Sequence, residues 1–192
     1  MTKPGHIPML PQADKTGWSA SVNGKSISKS VESNAILLDV LRDYVGTLGV
    51  KRGCDMGTCG CCAVLVNGEP RLSCLTLAQE VNDTEITTVE GLADGTHLAP
   101  IQETFAIYGG SQCGFCTPGF LVVAEALLRS NENPTKEEIK TAIEGNLCRC
   151  TGYQPIVDSI LAASEILSSN EGTIDSTQHQ SDPHPGFMED ES

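Results

Sequence analysis

Eight of the nine cysteines in this 192-residue chain fall into two sets whose spacing suits metal-bound thiolates. The first set lies in the stretch RGCDMGTCGCCAVLVNGEPRLSC, where a C-x4-C-x2-C pattern precedes a more distant cysteine. That spacing is the ligand pattern of plant-type [2Fe–2S] sites. The second set comes from QCGFC and NLCRC. We therefore predict two [2Fe–2S] clusters that carry electrons, with ligands Cys54, Cys59, Cys62 and Cys74 for the first and Cys113, Cys116, Cys148 and Cys150 for the second.

Zinc is the alternative metal for such cysteines. A four-cysteine zinc site usually has two C-x2-C knuckles about 15–20 residues apart, and Cys54-x4-Cys59 does not form one. The first loop also contains Gly53, Gly57 and Gly60, which accept positive φ and allow sharp turns around a cluster. For the second set taken alone zinc stays open, and the neighbouring plant-type pattern favours iron.

The ninth cysteine, Cys61, stands between two predicted ligands. Alternation along a strand that starts near Cys62 predicts that Cys61 points to the opposite side, as a small buried thiol. The alternative is that it replaces one of the ligands.

The composition excludes several classes of protein. A disulfide-rich secreted chain is disfavoured because the cysteine count is odd, the spacings are tight and residues 1–20 lack an apolar signal segment. We expect a reducing, cytoplasmic setting. No apolar run reaches the roughly 20 residues that span a bilayer. The net charge of −13 disfavours binding to nucleic acid.

The charge is unevenly distributed. After Arg149 the sequence contains no Lys or Arg, and eight Asp and Glu residues follow. We predict that residues 169–192 are an acidic tail, which either solubilises the protein or lies on a partner subunit.

The pattern of apolar and turn residues predicts α+β architecture with two domains. Residues 1–16 form an extended segment, and residues 17–91 form the first domain. There, hairpin turns at Asn23-Gly24 and Asn67-Gly68, a helix over 34–45 and strands at 62–67, 70–75 and 84–89 are typical of a β-grasp ferredoxin, with its cysteine loop at 50–62.

Residues 92–168 are predicted to form a helical domain holding the second cluster. Apolar residues recur at helical spacing over 98–108. Thr117 and Pro118 suit the N-cap and first position of a second helix, and Thr135 with Glu138 forms a capping box for a third. A fourth helix is expected over 155–167, so the domain is predicted to be a four-helix bundle.

Other chemistry is sparse. Lys51, Arg52 and Arg149 flank the cysteines and either offset cluster charge or are ordinary surface cations. The sequence has no nucleotide-binding glycine motif and no defensible nucleophile–base arrangement, so we predict no catalytic residue. The four histidines are isolated and are not expected to be ligands: His6, His97, His179 and His184.

The motifs GCDMGTCGCC, QCGFCTPG and GNLCRCTGY closely resemble the iron–sulfur subunit of the molybdenum hydroxylases, the xanthine oxidase and aldehyde oxidase family. The resemblance covers about residues 18–168. It implies a plant-type ferredoxin domain followed by a four-helix domain, each with one [2Fe–2S] cluster. Cys61 departs from the family, whose members often carry Ala there.

The resemblance also implies a role and partners. A large subunit would bind a molybdenum pterin cofactor, and electrons would pass from it to the second cluster, then to the first, then to FAD on a medium subunit. The complex would be a heterotrimer or its dimer. Gln112 and Cys150 would lie against the pterin, although Gln112 could instead make a helix-end hydrogen bond. Two alternatives stay open: a free-standing two-cluster carrier and a zinc-stapled interaction module.

Overall fold

The computed structural model describes residues 13–169. The predicted acidic tail and most of the predicted extended segment lie outside them, as do His6, His179 and His184. The strands are β1 (Lys15–Val22), β2 (Lys25–Glu32), β3 (Ala63–Val66), β4 (Glu69–Leu72) and β5 (Glu85–Thr87). The α-helices are α1 (Leu37–Asp39), α2 (Pro100–Ile107), α3 (Thr117–Ser130), α4 (Lys136–Ile143) and α5 (Gln154–Ser169).

The five strands form one mixed sheet in the order β2-β1-β5-β3-β4. Two antiparallel hairpins, β1–β2 and β3–β4, make its halves, and β5 joins them by pairing parallel to β1 and antiparallel to β3. Asn23 and Asn67 each adopt positive φ at the hairpin turns, together with the glycine that follows. Both predicted turns are confirmed.

Strand β3 is buried along its whole length because both faces of the sheet are covered there. Val64 and Val66 belong to the core that contains Trp18, Leu37 and Leu41. Ala63 and Leu65 pack on the opposite face against Val122 of α3. A strand covered on both faces needs a continuous apolar sequence, and Ala-Val-Leu-Val supplies it.

The first helix differs from its predicted form over residues 34–45. It begins at Leu37, and from Val40 to Val45 it continues as a π-helix. The wider turn is closed by Gly46, whose N–H donates to the carbonyl of Leu41 at 2.9 Å and whose φ is +91°. Ile36, which has helical spacing in the sequence, instead forms a bridge with Leu77.

Helices α2 to α5 surround a second apolar core that includes Phe105, Phe120, Ile139, Ile156 and Ile160. Three short helical turns lie along the chain between β4 and α2. Two precede β5 and one follows it: Ser73–Leu75, Ala78–Val81 and Val89–Gly91. Among residues 13–169 no helix is long and apolar enough to cross a membrane.

The helix ends match one prediction and correct another. Thr135 caps α4 as expected: its Oγ1 accepts from the Glu138 N–H at 3.3 Å, and the Glu138 carboxylate accepts from the Thr135 N–H at 2.8 Å. Thr117, however, is the first residue of α3 rather than its N-cap, which is Cys116. The Thr117 hydroxyl donates to Ser111 Oγ at 3.0 Å, so it serves the preceding loop.

One hydrogen bond links the π-helix to the sheet edge. Tyr44 Oη donates to Glu32 Oε2 at 2.6 Å, at the end of β2. This bond lowers the pKa of the Glu32 carboxyl and raises the pKa of the Tyr44 phenol, since it stabilises the carboxylate with the neutral phenol.

The pKa shift of Tyr44 gives a prediction for stability at high pH. A raised pKa means that the stabilisation is complete below the ordinary tyrosine pKa of 10 and is lost as pH rises through the folded-state pKa. We expect Tyr44→Phe to lower the melting temperature at about pH 8, and this deficit should shrink above about pH 10. Melting temperatures of both proteins across that range check it.

Glu32→Gln is the control for this prediction, because it keeps the shape of the acceptor and removes its charge. In that background Tyr44→Phe should cost less, and the dependence of the deficit on pH should weaken. Parallel pH curves for wild type and Tyr44→Phe would contradict the assignment.

Candidate iron–sulfur sites

The first set of cysteines surrounds a small cavity at the end of the sheet. The loop between the π-helix and β3 brings Cys54, Cys59 and Cys62, and the short helical turn after β4 brings Cys74. The four side chains line this small cavity together with Leu38 and Arg52. Cys59, Cys62 and Cys74 are buried, and Cys54 is partly exposed.

The four thiols of this first set meet as two pairs. Cys54 neighbours Cys59, and Cys62 neighbours Cys74, while the thiol of Cys61 also lies beside Cys59. Among residues 13–169 no three or more His, Cys, Asp or Glu side chains are arranged to hold a single metal ion. In a four-cysteine [2Fe–2S] cluster each of the two irons takes two thiolates, so two neighbouring pairs are a donor set that fits it.

The two pairs lie in different surroundings. Hydrogen bonds from the Thr58 side chain and from the backbone N–H groups of Met56 and Thr58 lower the pKa of the Cys54 thiol to about 6. Burial, with the neighbouring Cys62, raises the pKa of Cys74 to about 11. The Ser73 hydroxyl donates to the carbonyl of Cys62 at 2.7 Å and so holds the Cys74 turn against the loop.

The glycines of this loop act in two different ways. Gly57 and Gly60 have φ of +74° and +70°, as predicted. Gly53 is not in the positive-φ region, which corrects that expectation. It is needed for space, because a Cβ at Gly53 would lie 2.7 Å from Cys59 Sγ.

The second set of cysteines lies where two helices begin. Cys113 and Cys116 precede α3, while Cys148 and Cys150 lie between α4 and α5. The thiols again meet as pairs, Cys113 with Cys150 and Cys116 with Cys148. Cys113 and Cys150 are exposed, whereas the other two are partly buried. This second site therefore has one pair at the surface and one pair facing the protein interior.

The pKa values follow this division between surface and interior. The backbone N–H of Phe115 lowers the pKa of Cys113, while burial raises the pKa of Cys116 to about 12. Burial also acts to raise the pKa of Cys148, but hydrogen bonds from Thr151, the Cys150 backbone and the Cys116 side chain together outweigh it, and the pKa is lowered. The Thr151 hydroxyl donates to Cys148 Sγ at 3.1 Å.

Three polar residues for which no role was predicted hold the second site together: Asn146, Thr151 and Tyr153. Tyr153 Oη accepts from the Cys148 N–H at 3.0 Å and donates to the carbonyl of Asn146 at 3.2 Å. Thr151 bonds Cys148 as described above. All three lie within GNLCRCTGY, close to Cys148 and Cys150. That proximity is the feature of the sequence from which their role could have been predicted.

The two sites touch through backbone atoms. The Leu147 N–H donates to the carbonyl of Cys59 at 3.0 Å, which links neighbours of the two cysteine sets. The buried Asn146 side chain donates to the carbonyl of Gly60 at 3.3 Å. On α3, a Cβ at Gly119 would lie 2.4 Å from that same Gly60 carbonyl oxygen. The helical half therefore rests directly on the first cysteine loop.

Cys61 lies in this contact between the sites. It is buried, as predicted, although it belongs to a turn before β3 rather than to the strand itself. Its Cα would lie 3.1 Å from a Cβ at Gly119, and its Sγ donates weakly to the carbonyl of Cys59 at 3.7 Å. Burial raises its pKa to about 12, which suits a packed neutral thiol.

The remaining predicted residues lie around the sites. Arg52 lines the first cavity, whereas Lys51 Nζ donates to the carbonyl of Leu48 at 2.8 Å. Arg149 is exposed between Cys148 and Cys150. Gln112 is exposed beside Cys113, at the surface edge of the second site.

Comparison with known sequence families gives two matches. A family described as "2Fe-2S iron-sulfur cluster binding domain" matches residues 11–107, and one described as "[2Fe-2S] binding domain" matches residues 88–161. The chain is similar to the nicotine 6-hydroxylase small subunit of Paenarthrobacter nicotinovorans, with 44% identity over 83% of this chain and 96% of that subunit. It is similar also to the nicotinate dehydrogenase small FeS subunit of Eubacterium barkeri, with 44% identity over 79% of this chain and 97% of that one.

Solved structures agree with the sequence comparison. Quinoline 2-oxidoreductase from Pseudomonas putida 86 has a chain that superposes with a TM-score of 0.78 and 43% identity, covering 82% of this chain and 98% of its own. The aldehyde oxidoreductase of Desulfovibrio gigas superposes with a TM-score of 0.77 and 39% identity. There the match covers only 17% of the longer chain, so this protein corresponds to one part of that enzyme.

The close approach of α3 to the first loop predicts an unusual response to alanine. Inside a helix, Gly→Ala normally stabilises a protein by about 0.5–1 kcal/mol. At Gly119 the new Cβ would meet backbone of Gly60 and Cys61, which cannot rotate away. We expect Gly119→Ala to lower the free energy of unfolding by about 1–3 kcal/mol, measured by chemical unfolding of the cluster-loaded chain.

Gly145→Ala is the matched control, because a Cβ at Gly145 meets nothing within 4 Å. That variant should be as stable as wild type. Equal stability of Gly119→Ala and Gly145→Ala would show that the contact between α3 and the loop is looser than described.

Proposed function

The chain belongs to the iron–sulfur subunits of the molybdenum hydroxylase family, and we propose that its two cysteine sets are the ligands of the two [2Fe–2S] clusters. It is an electron-transfer subunit of a molybdenum-dependent oxidoreductase, whose partner is a large molybdenum-binding subunit. The first cluster would be held by Cys54, Cys59, Cys62 and Cys74, and the second by Cys113, Cys116, Cys148 and Cys150.

The observation that carries this assignment is the convergence of four thiols at each site; at the first site Cys54, Cys59, Cys62 and Cys74 line one cavity, and Cys61 does not. One pair at each site is more buried than the other, so each cluster would have an outer and an inner end. When bound, a [2Fe–2S] cluster supplies one-electron redox chemistry. The protein supplies thiolates, hydrogen bonds to sulfur from Thr58 and Thr151, and burial of three of the four thiols of the first set.

The order of the two sites in the relay is the one that the family resemblance implies, and the exposure of the two sites supports it. The second site presents Gln112, Cys113 and Cys150 at the surface, where a pterin on the large subunit could approach them. Its inner side adjoins the first site through the Leu147 N–H and the Cys59 carbonyl. Electrons would enter at the second site and leave through the first. A free-standing two-cluster carrier is not favoured, because the near-full-length relatives are named as subunits.

Finer features belong to the same proposal. The mixed sheet over one helix would be a β-grasp ferredoxin domain at 17–91, and α2 to α5 would be a four-helix bundle at 92–168. FAD on a medium subunit would accept the electrons, in a heterotrimer or its dimer. A cytoplasmic location is supported by the nine cysteines, since none forms a disulfide and eight are proposed cluster ligands.

The first experiment is metal analysis with EPR of the purified complex. We expect four irons and four acid-labile sulfides per chain and two distinct reduced signals. Cys74→Ser should remove or alter the signal of the first cluster and leave that of the second. The reason is that a serine hydroxyl is a poorer iron ligand than the thiolate it replaces. Zinc without sulfide would overturn the assignment.

Cys61→Ala is the matched control for the ligand assignment. Its thiol is buried beside the same loop but is placed outside the proposed ligand set, so both clusters should assemble in full. Loss of half the iron in this variant would show that Cys61 is a ligand.

Gln112 gives a prediction for entry of electrons. If its amide positions the pterin, Gln112→Ala should leave iron content unchanged and slow the first electron transfer by about tenfold or more. The measurement is the rate at which cluster absorbance bleaches after substrate, chosen from N-heteroaromatic compounds and aldehydes that the wild-type complex oxidises. Gln154→Ala, an exposed Gln bonded to Asp158 on α5, is the control and should leave the rate unchanged.

A further inference from the structure

An ion triad spans the mouth of the first site. The guanidinium of Arg52 forms salt bridges with both Asp39 and Asp55. Arg52 and Asp55 belong to the cysteine loop and flank Cys54 on either side, while Asp39 ends α1. The triad therefore joins the loop to the helix that covers the first apolar core.

The triad lies at the predicted cluster position rather than elsewhere on the surface. Arg52 and Asp55 line the same cavity as the four cysteines of the first set. Leu38, the neighbour of Asp39 in α1, also lines it. The other flanking cation, Lys51, is directed to the carbonyl of Leu48 and does not line the cavity.

Burial determines what these ion pairs can do. The Arg52, Asp39 and Asp55 side chains are 39%, 40% and 54% exposed. Ion pairs this exposed contribute little to folding stability because water screens them. Their charges still act across the cavity, whose other walls are an apolar side chain and four thiols, three of them buried, so screening there is weaker than in solution.

We infer that the Asp39–Arg52–Asp55 triad sets the reduction potential of the first cluster, with Arg52 favouring the added electron and the two carboxylates moderating its effect. This rests on the proposed ligand set of Cys54, Cys59, Cys62 and Cys74. Reduction adds one negative charge to the cluster, so a nearby cation raises the potential and a nearby anion lowers it. The formal charge of the triad is −1, from one Arg and two Asp side chains.

These charges give opposite shifts for the two single variants. Arg52→Gln leaves two unbalanced carboxylates and should lower the potential of the first cluster. Asp39→Asn leaves the pair of Arg52 and Asp55 and should raise it. The double variant restores the formal charge of −1 and should return the potential toward that of wild type.

Two matched controls separate the position of a charge from its presence. Lys51→Gln removes the same charge as Arg52→Gln from the adjacent residue. Asp43→Asn removes the same charge as Asp39→Asn one turn further along the same helix, where Asp43 is exposed. Each control should shift the potential of the first cluster in the same direction as the triad variant that it matches, but by less.

The measurement is an EPR-monitored redox titration of the complete complex carrying each variant, with iron and sulfide analysis of the same samples. The second cluster serves as an internal reference and should not move. The proposed function is tested by the iron and sulfide content, and the triad by the shifts, so the two can fail separately.

Three results would overturn the inference while the clusters stay fully assembled. Arg52→Gln and Asp39→Asn could shift the potential in the same direction, which indicates displacement of the loop rather than charge. The double variant could fail to recover. The controls could shift the potential as far as the triad variants do.

Discussion

The arrangement of this protein depends on one close contact between backbones, that of helix α3 on the first cysteine loop. Gly119 brings the helix against the Gly60 carbonyl and Cys61, where no side chain would fit. The contact fixes the distance between the two cysteine sets, because each set is attached to one side of it. The apolar packing of Val122 on Ala63 and Leu65 continues the same interface along β3. The two apolar cores are thereby joined through one packing interface, that of α3 with the first cysteine loop and β3.

The two sites use the same principle in different surroundings. Each gathers four thiols from two chain segments, in two pairs of unequal exposure. In the first site the helical turn after β4 delivers the fourth cysteine, and in the second site the starts of α3 and α5 flank the thiols. Hydrogen-bond donors reach sulfur in each site, from Thr58 to the partly exposed Cys54 and from Thr151 to Cys148 of the inner pair. A relay subunit needs this combination, since potentials depend on hydrogen bonding and burial while transfer depends on proximity.

Features set by neighbouring residues could be predicted from the sequence. The hairpin turns at Asn23 and Asn67, the Thr135–Glu138 capping box and the cysteine spacing all depend on a few consecutive residues. Features set by distant contacts could not. The role of Gly119 depends on its approach to the backbone of Gly60 and Cys61, which lie far from it along the chain. Asn146 was visible within a motif, but its partner is the carbonyl of Gly60, 86 positions away.

The hydrogen bond between Leu147 and Cys59 joins main-chain atoms, while the Leu147 side chain is 53% exposed. The connection between the halves is therefore independent of which side chain occupies position 147. Any substitution at Leu147 other than proline would therefore leave this bond between the two sites in place.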